Sequence, residues 1–271
     1  MRPTLAIGIA LTGLVAALGL VSLAWTPWPV DAVSVADRLQ PPGADHWLGT
    51  DHLGRDTLSL IMGGAWNAMI VATAAVGIGL LAGVPLGLLA AARRGWVDEA
   101  VGRLVDLTFA FPAVLSAILI TALTHPGAIN AIVAIGIFNI AVFARVTRGA
   151  ALPVYGREFV RAAFALGRSR FQVALRHVLP NAASPLIVQA TVQFAVAILA
   201  EAALSYLGLG TRPPQPSWGR MLLDAQTFLF TDPIQAVWPG LAIAIAVLGL
   251  NLLGDGVRDL LDPRLRALPV G

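Results

Sequence analysis

His46 and His52 lie in one short stretch with Asp45, Asp51 and Asp56, and imidazole with carboxylate is a donor set that divalent metals accept. His125 and His177 stand far from that stretch. The spacing of the four histidines builds no convincing site, so no metal ligand is assigned. A basic group crowds into "FVRAAFALGRSRFQVALRHVLPN" (Phe159–Asn181), with Arg161, Arg168, Arg170, Arg176 and His177 in a chain poor in charge. A polar stripe runs through Gln189, Gln193, Ala197, Ala200 and Glu201, which share about a third of a helix circumference at 100° per residue. Such a stripe either lines a path for a polar solute or makes hydrogen bonds between packed helices. Glu201 sits near the outer end of its helix, where pairing with Arg220 or capping a neighbouring helix suits it. Nucleotide chemistry of the P-loop kind is excluded, because that motif needs a lysine and all 18 basic residues are arginine. There is no cysteine, hence no disulfide and no thiolate metal site.

The elements that carry these residues are membrane helices. Of 271 residues 57% are hydrophobic and 12% charged, and the mean hydropathy is +0.78. Hydropathy marks six spans of roughly the 20 residues that cross a bilayer: Leu5–Trp25, Met69–Ala92, Leu104–Leu123, Ala128–Ala144, Ala182–Tyr206 and Ile234–Leu253. The first is long for a signal-peptide core and no cleavage site stands out after it, so it reads as a retained helix. If the N-terminus is cytoplasmic, only Arg38, Arg55, Arg212 and Arg220 face outward and 14 of the 18 arginines face inward. This is a positive-inside pattern and places both termini in the cytoplasm. A net charge of +3 distributed in this way implies no nucleic-acid partner.

The expected organisation is a tail and first helix over 1–25, an outward segment over 26–68, and a core of five helices over 69–271. "THPGAIN" (Thr124–Asn130) suits a tight turn between antiparallel helices, and "TDHLGRDTLSLIMGG" (Thr50–Gly64) an outward helix capped by Thr50 or Asp51. With Gly208–Pro233 this would form the outer surface. Gly79 and Gly83 are spaced for close helix packing, and Pro85 suits a kink. Arg103 and Asp106, at i and i+3, are expected to pair on one helix face, with Asp98 nearby. The basic insert reads as a helix with Val160, Phe164, Gly167, Phe171, Leu175 and Val178 in one apolar stripe, ended by Pro180. Periodicity alone fits a lipid-bound interfacial helix or a protein-docking surface.

"RAAFALGRSRFQVALRHVLP" resembles the EAA loop of ABC-importer permeases: E-A-A, three residues, G, nine residues, then I-x-L-P. Ala162, Ala163, Gly167, Leu179 and Pro180 fall on the pattern, while Arg161 stands where Glu is usual and His177 where Ile is usual. "HWLGTDHLGRD" (His46–Asp56) resembles the G-T-D-x-x-G-R-D segment of dipeptide, oligopeptide and nickel permeases. "EAALSYLGLGTRPPQPSWGRML" (Glu201–Leu222) and "NLLGDGVRDLLDPRLR" (Asn251–Arg266) resemble two further segments of that subfamily.

The resemblance implies an all-α polytopic membrane protein of type I importer-permease architecture. Its six spans would carry a cytoplasmic coupling-helix loop at about 156–180. It implies a subunit that makes or breaks no bond, with ATP and Mg on partner ATPases and no cofactor of its own. Implied partners are a second homologous permease, two ATP-binding subunits and an extracytoplasmic substrate-binding protein, in a bacterial inner membrane whose lipids also touch the chain. Coupling would fall to Arg161, Ala162, Ala163, Gly167, Arg168, Phe171, His177, Leu179 and Pro180. Gln189, Gln193, Ala197 and Glu201 are the candidate path-lining residues. Peptides are the first choice of cargo and nickel or a metal chelate the second, "FTDPIQAVWPGLA" (Phe230–Ala242) looking closer to nickel-type permeases. A stand-alone transporter or channel would need ionisable residues along its spans, and these spans are nearly uncharged.

Overall fold

Apolar runs long enough to hide their backbone from lipid must satisfy it within the segment, and helices do so. The computed structural model describes residues 3–111, 113–123 and 126–261. Helix α1 (Pro3–Val21) crosses near the N-terminus. Helix α2 (Thr57–Ile78) runs through a π-helical turn at Gly79–Gly83 into α3 (Val84–Ala92), one rod of 36 residues. Helices α4 (Trp96–Ala110) and α5 (Ala113–Leu123) follow, then α6 (Ala128–Tyr155). Short α7 (Glu158–Ala165) precedes α8 (Arg170–Val173), which continues through a second π turn, Ala174–Val178, into α9 (Leu179–Tyr206). Helix α10 (Trp218–Ala225) and the long α11 (Ile234–Leu261) complete the described chain.

Among the described residues five rods are long and apolar enough to cross a bilayer, not six. The expected third span is divided. At 1.5 Å per residue α4 is about 22 Å long and α5 about 16 Å, each short of the roughly 30 Å core. The break follows from Pro112: Phe111 before it is extended (φ −101°, ψ 129°), the conformation that a following proline favours. The second span begins twelve residues earlier than expected, at Thr57. Its cap is Asp56 rather than Thr50 or Asp51, with the Asp56 carboxylate accepting from Ser59 N–H.

Small residues let the rods approach. A Cβ on Gly79 would fall 2.5 Å from Asn139 Cβ, and one on Gly83 2.5 Å from the Ile140 carbonyl oxygen, so the expected glycine face packs on α6. Helix α1 lies along α11 in the same way, Gly8 meeting Leu253 and Gly256 meeting Leu5. Both π turns end just before a Leu-Pro or Val-Pro pair. A proline in a regular helix lacks its N–H and collides with the carbonyl four residues back, and a π turn is one way a helix accommodates such an insult. The helix therefore passes through Pro180 instead of ending there, a correction to the sequence reading.

Candidate functional site

The basic insert is two helices, not one. Gly167 has φ +78°, where a side chain is strained, and nothing lies within 4 Å of where its Cβ would be. Its role within this chain is conformational. Around it, Gly167 N–H donates to the Phe164 carbonyl (2.9 Å) and Arg168 N–H to that of Ala163 (3.1 Å), the paired bonds of a Schellman C-cap. Ser169 then caps α8 reciprocally with Gln172.

The single apolar stripe accordingly splits. Val160, Ala163, Val173 and Val178 point inward and, with Leu88, Ala91, Ala151 and Val154, form a small core at the ends of α3 and α6. Leu166 (82% exposed), Phe171 (73%), Phe159, Phe164 and Leu175 point out, interleaved with Arg157, Arg161, Arg168, Arg170 and Arg176. Of the expected coupling residues, Arg161, Ala162, Gly167, Arg168, Phe171 and Pro180 are exposed, and Leu179 and His177 are half-buried, His177 facing the Phe159 ring. Ala163 faces the core and is not a surface residue. The product is an apolar, arginine-studded surface held on a rigid footing.

The polar stripe of α9 lies inside the chain. Gln193, Ala197 and Glu201 are buried, and Gln189 and Ala200 are half-exposed. Glu201, 1% exposed, gathers four donors on Oε1: Ser205 Oγ (2.7 Å), Ser217 Oγ (3.0 Å), Asn67 Nδ2 (3.0 Å) and Thr211 Oγ1 (3.2 Å). These come from α9, α2 and the loop between α9 and α10. Arg220 instead pairs with Asp224. The loop is drawn in further by close contacts: a Cβ on Gly210 would lie 2.2 Å from Ser205 Oγ, and one on Gly219 2.0 Å from the Ala202 carbonyl oxygen. Trp218 donates to the Ile61 carbonyl (3.0 Å). Sequence reasoning found Glu201 but missed Asn67, Thr211 and Ser217. Asn67 lies on α2 and Thr211 and Ser217 in the loop after α9, and only folding brings them to Glu201.

The Gly49–Asp56 segment is likewise structural. Asp51 accepts from the Leu53 and Arg55 N–H groups and pairs with the Arg55 guanidinium. His46 Nδ1 lies 2.9 Å from Asp56 Oδ1, and His52 stacks on Phe228. Gln235 at the start of α11 donates to the Thr50 carbonyl (2.8 Å) and Arg55 lies 4.0 Å from Asp224, so this segment packs against α10 and the start of α11. Among the described residues no three metal-ligating side chains converge; His125 lies outside them.

Helix α4 is held by charge. Arg145 of α6 pairs with Asp106 (2.7 Å) and lies over the Phe109 ring, Arg148 forks onto Asp98, and Arg103 turns to Glu99 (2.5 Å) rather than Asp106. The hydrogen bond from Arg148 holds the Asp98 carboxyl below its ordinary range, against the opposing effect of desolvation.

Residues 83–267 match the family described as "Binding-protein-dependent transport system inner membrane component". The chain belongs to this family. It is a multi-pass inner-membrane permease of an ABC importer, a transport subunit that performs no catalysis. The dipeptide transport system permease protein DppC of Alkalihalophilus pseudofirmus is 42% identical over 232 residues, 86% of this chain and 76% of that one. The glutathione transport system permease protein GsiD of Pectobacterium atrosepticum is 40% identical over 232 residues, 85% of this chain and 77% of that one. The fold matches a chain of the inward-facing MetNI methionine ABC transporter with a TM-score of 0.63 at 19% identity, over 75% of this permease and 96% of that chain.

Proposed function

We propose that this permease forms half of an import path for short peptides and is driven through α7 and α8 by an ATPase that binds ATP and Mg. The observation that carries the coupling role is the split insert: four inward side chains fix it to α3 and α6, while Leu166, Phe171 and the arginines stand free. A surface so anchored transmits rigid-body motion, whereas a helix held by lipid alone would slide. Peptide cargo is supported by the relatives named for dipeptide and glutathione transport. Nickel gains nothing from the residues, since His46 and His52 are engaged within the outer surface. A second homologous permease, two ATP-binding subunits and a substrate-binding protein complete the assembly, with both termini of this chain cytoplasmic. The path then lies between the two permeases, and Gln189 is the half-exposed polar side chain of the α9 stripe.

The absence of cysteine makes the test clean. Leu166→Cys and Phe171→Cys should each cross-link to a P-loop subunit in native membranes, and Phe230→Cys on the outer side should not. Proteoliposomes of the assembled transporter should take up labelled dipeptide only with ATP and receptor present. Cross-linking at Phe230 alone, or uptake without nucleotide, overturns the reading.

A further inference from the structure

We infer that this permease carries a built site for one anionic phospholipid at its inner-leaflet end, between α3 and the α8–α9 rod. Two neighbouring cavities carry the inference. The first, about 350 Å³, is walled by apolar side chains of both rods, among them Val84, Leu88, Leu89, Phe171 and Leu175. The second, about 750 Å³, holds Arg93, Arg94, Arg161 and Arg170 beside Trp96 and Tyr155. Arg93 and Arg170 line both, so the apolar slot opens onto the arginines.

The dimensions suit a lipid chain. From Val84 to Arg93 the helix rises about 14 Å at 1.5 Å per residue, close to the roughly 15 Å half-thickness of the hydrocarbon core. The second π turn contributes Ala174 and Leu175 to the slot, and the first ends at Gly83, one residue before its wall begins at Val84.

Charge selects the head group. No carboxylate lines the second cavity, and among the described residues none forms an ion pair with Arg93, Arg94, Arg161 or Arg170. Arg161 donates only to the Gly156 carbonyl (3.2 Å). The Tyr155 hydroxyl, buried on the cavity wall, has no protein partner. Guanidinium groups take phosphate oxygens two at a time, and basic pockets between membrane helices on the cytoplasmic side are suited to anionic head groups. An acidic protein segment would satisfy the arginines but leave the apolar slot empty. A phospholipid fills both.

The site rests on the inner placement of the Arg93 end and not on cargo; it shares Phe171, Arg161 and Arg170 with the proposed docking surface, while Arg93, Arg94 and Leu89 lie outside that surface. The test is native mass spectrometry of the full-length chain extracted from membranes of equal phosphatidylglycerol and phosphatidylcholine. One phosphatidylglycerol should stay bound through delipidation. Arg93→Gln/Arg94→Gln, two exposed positions outside α7–α9, should cut its retention about tenfold, and Leu89→Trp, which fills the slot, should do the same with the arginines intact. Unchanged circular dichroism and gel-filtration profiles exclude misfolding. Equal retention of the two lipids, or retention unaffected by either variant, overturns the site. Dipeptide uptake is read separately and leaves this outcome untouched.

Discussion

Replacing Glu201 by alanine should loosen the outer end of the bundle by about 2–4 kcal/mol. The figure follows from counting which donors lose their only acceptor. Ser205, inside α9, can return its hydroxyl to its own helix backbone. Thr211 Oγ1 retains Asn67 Oδ1 at 3.2 Å, and Asn67 Nδ2 retains Thr211 Oγ1 at 3.0 Å. Ser217 Oγ, on a buried residue, is left with no acceptor in the network. A buried polar group left unsatisfied costs about 1–3 kcal/mol, and the void left by the side chain adds to it. Glu201→Gln keeps an oxygen at the focus and should cost about 1 kcal/mol. Thermal unfolding in lipid-supplemented detergent reads the difference: at roughly 2–4 °C per kcal/mol, alanine should lower the midpoint by about 4–16 °C and glutamine by far less. An alanine variant as stable as wild type, or a glutamine variant as damaged as alanine, refutes the hydrogen-bond accounting.

Other positions give sharp contrasts. Gly83→Val should cost about 1–3 kcal/mol, because its Cβ would meet the Ile140 carbonyl oxygen at 2.5 Å. Gly77→Ala, with nothing within 4 Å, should be neutral or stabilising in the same thermal assay. Gly167→Val places a branched side chain at φ +78°, should cost about 1–2 kcal/mol locally, and should abolish uptake while membrane insertion persists; Gly167→Asn should restore most of the uptake. The Asp98 carboxyl is held low in the folded chain, so its contribution is complete above the unfolded value of about 3.9 and is lost as pH falls through the lower folded value. Asp98→Asn should therefore flatten the decline in stability below about pH 4, as read by unfolding at stepped pH.

Helices were legible because lipid leaves few alternatives for an apolar run, and the glycine face of α2–α3 was legible because small residues four apart have one obvious use. The basic insert could be located by residue order, yet its shape could not. A helical wheel puts Val160, Phe164, Phe171 and Leu175 together, but the αL turn at Gly167 rotates the second half, so Val160 is buried and Phe171 exposed. Pro180 reads as a stop only if every helix is regular, and the π turn removes that premise. Pro112 stood in the sequence as a break signal inside the third span, and hydropathy averaged over it. Pairing of Arg103 with Asp106 was a local inference overruled by tertiary neighbours, Arg145 having reached Asp106 from another helix. Burial of Gln193 and Glu201 needed knowledge of which α9 face meets α2 and α6, which spacing alone does not give.

The continuity of α8 with α9 ties the two ends of the permease together. Arg170–Tyr206 is one rod of 37 residues, about 55 Å long, with the exposed arginine-studded surface at one end and the Glu201 network near the other. Its weak point is the π turn, and Val173 just before that turn and Val178 at its end, both fully buried, bind it to α3 and α6. If motion of α7–α8 reaches the outer end through this rod, loosening the inner core should break transmission while sparing both ends. Val173→Ala removes two methyl groups from a site with no exposure, worth about 2 kcal/mol. In the reconstituted transporter it should leave ATP hydrolysis and ATPase binding intact and lower the dipeptide imported per ATP. An unchanged ratio in a variant shown to be less stable would mean that the rod is rigid without this core, and that the drive to the outer end travels through α6 instead.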